Sequence, residues 1–164
     1  MPLLTPDWSD FFIAELGALA ALTGFVVVAI SINLARIIAY PTLPGRAGES
    51  LIGPVGAITA TSLVLIPEQP PALLGAEILL IGLVMVVAPL VLQVRTWRAW
   101  KDATVVERTA RTATSAGYSL AFVIGGALLM ASAGAGLYWI AAGDIAGLIA
   151  VVFNAWVLMI EILR

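Results

Sequence analysis

The sequence predicts an all-α, polytopic membrane protein: a bundle of five transmembrane helices, N-terminus outside and C-terminus in the cytoplasm. Three observations carry that expectation. Of 164 residues, 62% are hydrophobic and only 11% are charged, and the mean hydropathy is +1.08. A soluble domain carries roughly 25% charge and 45–50% apolar residues, so this chain cannot coat itself against water. Apolar segments long enough to cross a bilayer follow one another, and their alternation places every basic residue on one side.

The first segment runs from about Phe11 to Ala35, with Ser9 or Asp10 as its expected N-cap. No Lys or Arg stands among the first ten residues, which argues against a cleavable signal peptide. The second is expected from Pro44, a favourable first helical residue, to Ile66. Gly53, Pro54, Thr59, Thr61 and Ser62 dilute it, so a re-entrant hairpin is the alternative there. Pro71 opens the third segment, which continues to about Val94 with Pro89 inside it. The fourth is expected over 113–140, and Asp144 is read as the cap of a fifth over 144–163. Each has roughly 20 residues or more, enough for about 30 Å of hydrocarbon.

With these spans, residues 1–10, 67–70 and 141–143 share one side, and 36–49, 95–112 and the C-terminus share the other. The eight basic residues are Arg36, Arg46, Arg95, Arg98, Lys101, Arg108, Arg111 and Arg164, and all fall on the second side. The first side holds Asp7, Asp10 and Glu68, with Asp144 at its edge. The bias of cytoplasmic loops toward Lys and Arg makes the second side cytoplasmic. Trp8, Phe11, Tyr138 and Trp139 fall at the outer interface and Tyr40, Trp97 and Trp100 at the inner one, where amphipathic rings collect.

The absence of Cys and His excludes disulfides, thiolate chemistry and the usual zinc, copper and haem ligation. No metal site or cofactor is expected. A net charge of −2 gives no reason to expect a nucleic-acid partner. No phosphate loop or Ser-Lys pair at membrane depth is present, and a rhomboid-type serine would lack its histidine, so an enzyme is the poorest fit.

A few intramembrane polar residues need explaining. Glu15 and Glu77 sit at similar depth below the outer face, in a half of the chain without a cation. Charges in a bilayer are costly, so the pair is a candidate proton or cation site, with Asn154 near the middle of the fifth segment as a further candidate. The ordinary alternative is that each carboxylate reaches the interface or a hydrogen bond within the bundle. Gly147, Asn154 and Glu161 recur every seven residues, as do Arg111, Tyr118, Gly125 and Ser132. With Glu15 and Asn33 on one face of the first segment, these form polar seams that either line a path or serve interhelical hydrogen bonds. Arg95, Arg98 and Lys101 are candidates for anionic lipid headgroups, or else an orientation signal. Gly17, Ala21 and Gly24, and the cluster Gly125, Gly126, Ala131, Gly134 and Gly136, mark close helix contacts within one subunit or between subunits.

Two functions follow. One is a homo-oligomeric channel or small transporter for protons or monovalent cations, since five short helices enclose a path poorly alone. The other is an accessory or regulatory subunit acting through a membrane protein partner without permeation.

The opening Asp7-Trp8-Ser-Asp-Phe11-Phe12, the run Gly17-Ala-Leu-Ala-Ala-Leu-Thr-Gly24, and Ser31-Ile-Asn-Leu-Ala-Arg36 resemble a family of small uncharacterised bacterial multi-span membrane proteins. Leu43-Pro-Gly-Arg46 and Ile66-Pro-Glu-Gln-Pro70 fit the same pattern, which covers roughly the first 100 residues. Some members carry automatic labels as modulators of the FtsH protease. The resemblance implies a bacterial cytoplasmic (inner) membrane and brings no catalytic residues.

Overall fold

The computed structural model describes residues 5–40, 43–97 and 105–156, and every regular element among them is a helix. These are α1 (Pro6–Ile32), α2 (Leu34–Ala39), α3 (Leu43–Val64), α4 (Pro71–Trp97), α5 (Val105–Met130) and α6 (Gly136–Trp156). Pro6 starts α1 because a proline in the first turn gives up only an N–H that has no helical partner. The extended Thr5 is the N-cap residue, so the helix begins ahead of the expected Ser9 or Asp10. At its other end Asn33 leaves the helical conformation and its Nδ2 donates to the Ala29 carbonyl at 3.0 Å, separating α1 from α2.

The larger departure lies between α5 and α6. Helix α5 stops at Met130, residues 131–135 turn, and α6 begins at Gly136, whereas the sequence suggested one helix over 113–140. The turn is built from Ala131-Ser-Ala-Gly-Ala135, with Ser132 at φ 58° and the Ala133 N–H donating to the Leu128 carbonyl at 2.9 Å. Nothing in those residues is strongly polar, so the apolar run hides the break. Asp144 therefore caps nothing. It lies about 12 Å inside α6, eight residues past its start at 1.5 Å per residue.

Helices α1, α3, α4, α5 and α6 close a ring in that order, and α3 also packs across it against α6. Helix α3 thus touches every other described helix, which suits its low hydrophobicity. Its exposed hydroxyls bond inside their own helix, Thr59 to the Val55 carbonyl at 2.8 Å and Ser62 to Ile58 at 2.7 Å. Such back-bonding satisfies a hydroxyl where water is absent.

Glycines set the helix spacing. A Cβ on Gly75 of α4 would stand 2.5 Å from the Met130 backbone nitrogen, and one on Gly126 of α5 would stand 2.5 Å from the Leu79 nitrogen. Its neighbour Gly125 faces α6 instead, where the Gly136 carbonyl lies 3.0 Å away. Two adjacent residues thereby let α5 approach two different helices. Gly17 and Gly24 on α1 have nothing against them, and Ala21 between them is exposed. Gly125 and Gly126 of α5 serve contacts inside the chain, whereas Gly17, Ala21 and Gly24 of α1 face outward.

The core centres on Phe12, Leu19, Ile78, Met85, Phe122, Leu129 and Ile140, all essentially buried. The outer surface is also apolar, with Leu80 64% and Phe153 67% exposed. Three helices are long and apolar enough to cross a membrane: Pro6–Ile32, Pro71–Val94 and Gly136–Phe153.

Candidate functional site

Where α1, α3 and α6 meet, the ring encloses a carboxyl group. Asp144 of α6 and Thr61 of α3 are both 0% exposed. The Thr61 Oγ1 lies 3.0 and 2.9 Å from the two Asp144 carboxyl oxygens and 2.8 Å from the carbonyl of Ala57, one turn back along α3. From α1, Glu15 is near enough for its charge to act on Asp144. One Glu15 carboxyl oxygen, Oε2, is itself buried and has no hydrogen-bond partner.

The N-terminal ends of α1 and α6 are held together beside this junction by aromatic rings. Trp8 stacks on Phe12 at 5.5 Å between centroids and meets Tyr138 edge-on at 4.8 Å. Phe11 packs edge-on to both Trp8 and Phe12. Trp8, about two turns before Glu15 on α1, thus reaches the first turn of α6, about two turns before Asp144. Contacts of this kind contribute about 0.5–1.5 kcal/mol each beyond the area they bury.

A second polar group lies toward the other end of the ring. The Gln93 Nε2 of α4 donates to Glu49 of α3, and the Thr112 hydroxyl of α5 donates to Gln93 Oε1 at 2.7 Å. Gln93 is essentially buried, so both ends of its amide need partners. Ser119 of α5, also buried, donates to the Met85 carbonyl at 3.4 Å. Tyr118 lies between the two polar groups. Its hydroxyl fills the space beside Gly53 of α3, its ring packs at the Gly147 position of α6, and Glu49 is within electrostatic reach.

The expected pairing of Glu15 with Glu77 does not form. Helices α1 and α4 make no contact among the described residues, and Glu77 accepts a hydrogen bond from Gln69 in the loop that precedes its own helix. Matched depth from separate helix ends says nothing about which helices adjoin. Glu15 instead lies on a helix that adjoins α6, within electrostatic reach of Asp144. Of the seam residues, Tyr118 lies inside the ring, Asn33 bonds back to its own helix, and Ser132 is exposed in the 131–135 turn. Asn154 falls on α6 and Arg95 on α4, but their side chains lie outside what is described. Arg98, Lys101 and Glu161 lie outside the described residues altogether.

The residues missed by the sequence are Asp144, Thr61, Glu49, Gln93 and Thr112. In the sequence Asp144 reads as a cap because the helix break at 131–135 is hidden, and Thr61 reads as a dilution of hydrophobicity. Gln93, near the end of a long apolar run, carried a readable signal.

The structure therefore defines an all-helical bundle, with three helices able to cross a membrane and a buried carboxyl at a three-helix junction. The chain matches no protein-family model, no curated protein and no solved structure. The resemblance in its opening segments rests on those segments alone.

Proposed function

We propose that this chain is a bacterial inner-membrane protein that conducts or transports protons or monovalent cations, with Asp144, Thr61 and Glu15 as its outer site. One observation carries the reading: a fully buried carboxyl group whose donor, among the described residues, is a single hydroxyl. A buried carboxylate without a cation is costly, and such residues in membrane helices mark ion or proton pathways. In this reading α1 and α3 to α6 all cross the bilayer, with the basic residues on the cytoplasmic side. Protein on several sides shields α3 from lipid, so its lower hydrophobicity is compatible with a span. Tyr118 separates the outer site from the Glu49–Gln93–Thr112 group, which provides the polar lining toward the cytoplasm.

Purified protein in liposomes is expected to pass protons or monovalent cations, and Glu15→Gln to slow that flux. Flux no greater than that of protein-free liposomes refutes the reading. If a stoichiometric partner then copurifies in mild detergent, the accessory-subunit alternative takes its place.

A homo-oligomer is part of the proposal, because one ring of five helices leaves little room for a path. The outward stripe Gly17, Ala21 and Gly24 suits close packing against a second copy. Gly24→Leu is expected to reduce the oligomer to monomers in light scattering while the helical circular dichroism stays unchanged, since nothing in its own chain stands in the way. An unchanged particle mass argues against this interface.

A further inference from the structure

The carboxyl site can be taken further by counting its hydrogen atoms. The Thr61 hydroxyl has one proton and three oxygens in range: the Ala57 carbonyl and both oxygens of Asp144. If the hydroxyl donates to Ala57, as threonine does along helices, then a Thr61 lone pair faces Asp144 and a carboxylate there meets only another acceptor. If it donates to Asp144 instead, a fully buried negative charge is left with that one hydroxyl as its donor among the described residues. A third arrangement gives both protons an acceptor and leaves only a neutral carbonyl oxygen of Asp144 without a donor, a smaller cost than a buried charge. Asp144 carries a proton and donates it to Thr61 Oγ1, and Thr61 donates its own proton to the Ala57 carbonyl.

We infer that the species held at this site is a proton, that Asp144 is a neutral carboxylic acid in the conformation seen, and that Thr61 is the hydroxyl switch serving its two protonation states. When the Asp144 proton leaves, the Thr61 hydroxyl turns from Ala57 to the carboxylate. The Ala57 carbonyl loses nothing essential, because the helical N–H of Thr61 still bonds to it. One hydroxyl thus serves both states without a change of backbone.

Alkali cations fit the site poorly. Hard cations take several oxygen ligands, and here one carboxyl and one hydroxyl converge with no exposed surface on either. Thr61 from α3 bonds to Asp144, Glu15 from α1 lies within electrostatic reach of it, and α5 presents Tyr118 one turn along α6, at Gly147. Glu15, whose Oε2 is buried without a hydrogen-bond partner, is the nearby acid that a proton path through Asp144 would use next.

This inference rests on the outer site proposed above, but its test does not require transport. Infrared spectra of the whole protein in lipid are expected to show a protonated-carboxyl C=O band that disappears in Asp144→Asn. The band should move to higher frequency in Thr61→Val, where the acid loses its acceptor, and stay in place when Na+ or K+ is added at constant pH. A spectrum with no band sensitive to Asp144→Asn, or a band that Na+ or K+ abolishes, overturns the inference. The band persisting in a protein without flux leaves the proton site standing and removes only the transport reading. Flux without the band does the reverse.

Discussion

Gly126→Leu is expected to prevent the bundle from closing, leaving protein that fails to give a monodisperse peak in detergent. The reason lies in the backbone. The Cβ alone would stand 2.5 Å from the Leu79 nitrogen, 2.7 Å from the Gly75 carbonyl oxygen and 2.8 Å from the Leu79 Cα. None of these is the end of a side chain that can swing aside, so α4 and α5 must separate along the most extensive helix pair in the molecule. Even Gly126→Ala forces that shift, and overpacking of this kind costs about 1–3 kcal/mol. In a chain of this size each kcal/mol lowers the melting temperature by about 2–4 °C. The control is Gly117→Ala on α5, an exposed helical glycine outside the proposed interface, where the new Cβ meets nothing and removing a helical glycine gains up to about 1 kcal/mol. Melting curves followed by tryptophan fluorescence measure both. Equal melting temperatures for the two alanine variants would mean that α4 and α5 do not approach as closely as described.

The contrast between these glycines also indicates what a sequence can reveal. Small residues at helical spacing announce a close approach, but not the partner. Gly125 and Gly126 are neighbours in the chain and lie about 100° apart around α5, so one touches α6 and the other α4. The helical class and the apolar segments α1 and α4 were legible because their composition is extreme over more than 20 residues. Glu15 was legible because a charge stands out in such a run. The turn at 131–135 was not, since alanine, serine and glycine satisfy a hydropathy reading whether helical or turned. That one hidden break moved the start of α6 by eight residues and turned Asp144 from an apparent cap into a buried group. Glu77 failed for a different reason. Depth along a helix is a one-dimensional property that the sequence records, whereas the order of helices around the ring depends on packing between all of them. Only that order brings α6 rather than α4 to Glu15.

The same order selects the carboxyl group on which the proposed function rests, and Asp144→Asn is the substitution expected to have the largest functional effect. Asparagine keeps the shape of aspartate and can still bond to Thr61, so the junction of α3 and α6 should hold and the melting temperature should not fall. What it cannot do is bind or release a proton. If the proposed path runs through this group, proton flux into liposomes falls to that of protein-free vesicles, while Asp144→Glu, which restores the acid on a longer arm, keeps part of it. Glu77→Gln is the comparison that separates this reading from the one its depth suggested. Glu77 is held by Gln69 at the loop before α4, on a helix that does not touch α1, so its neutralisation should leave flux close to that of the wild type. The opposite pattern, with flux lost in Glu77→Gln and retained in Asp144→Asn, would place the path against α4 and strip the α1–α3–α6 junction of its role. Measuring the three variants at equal protein density decides between them, because each is nearly isosteric or retains the acid, and each can be checked for folding by its own melt.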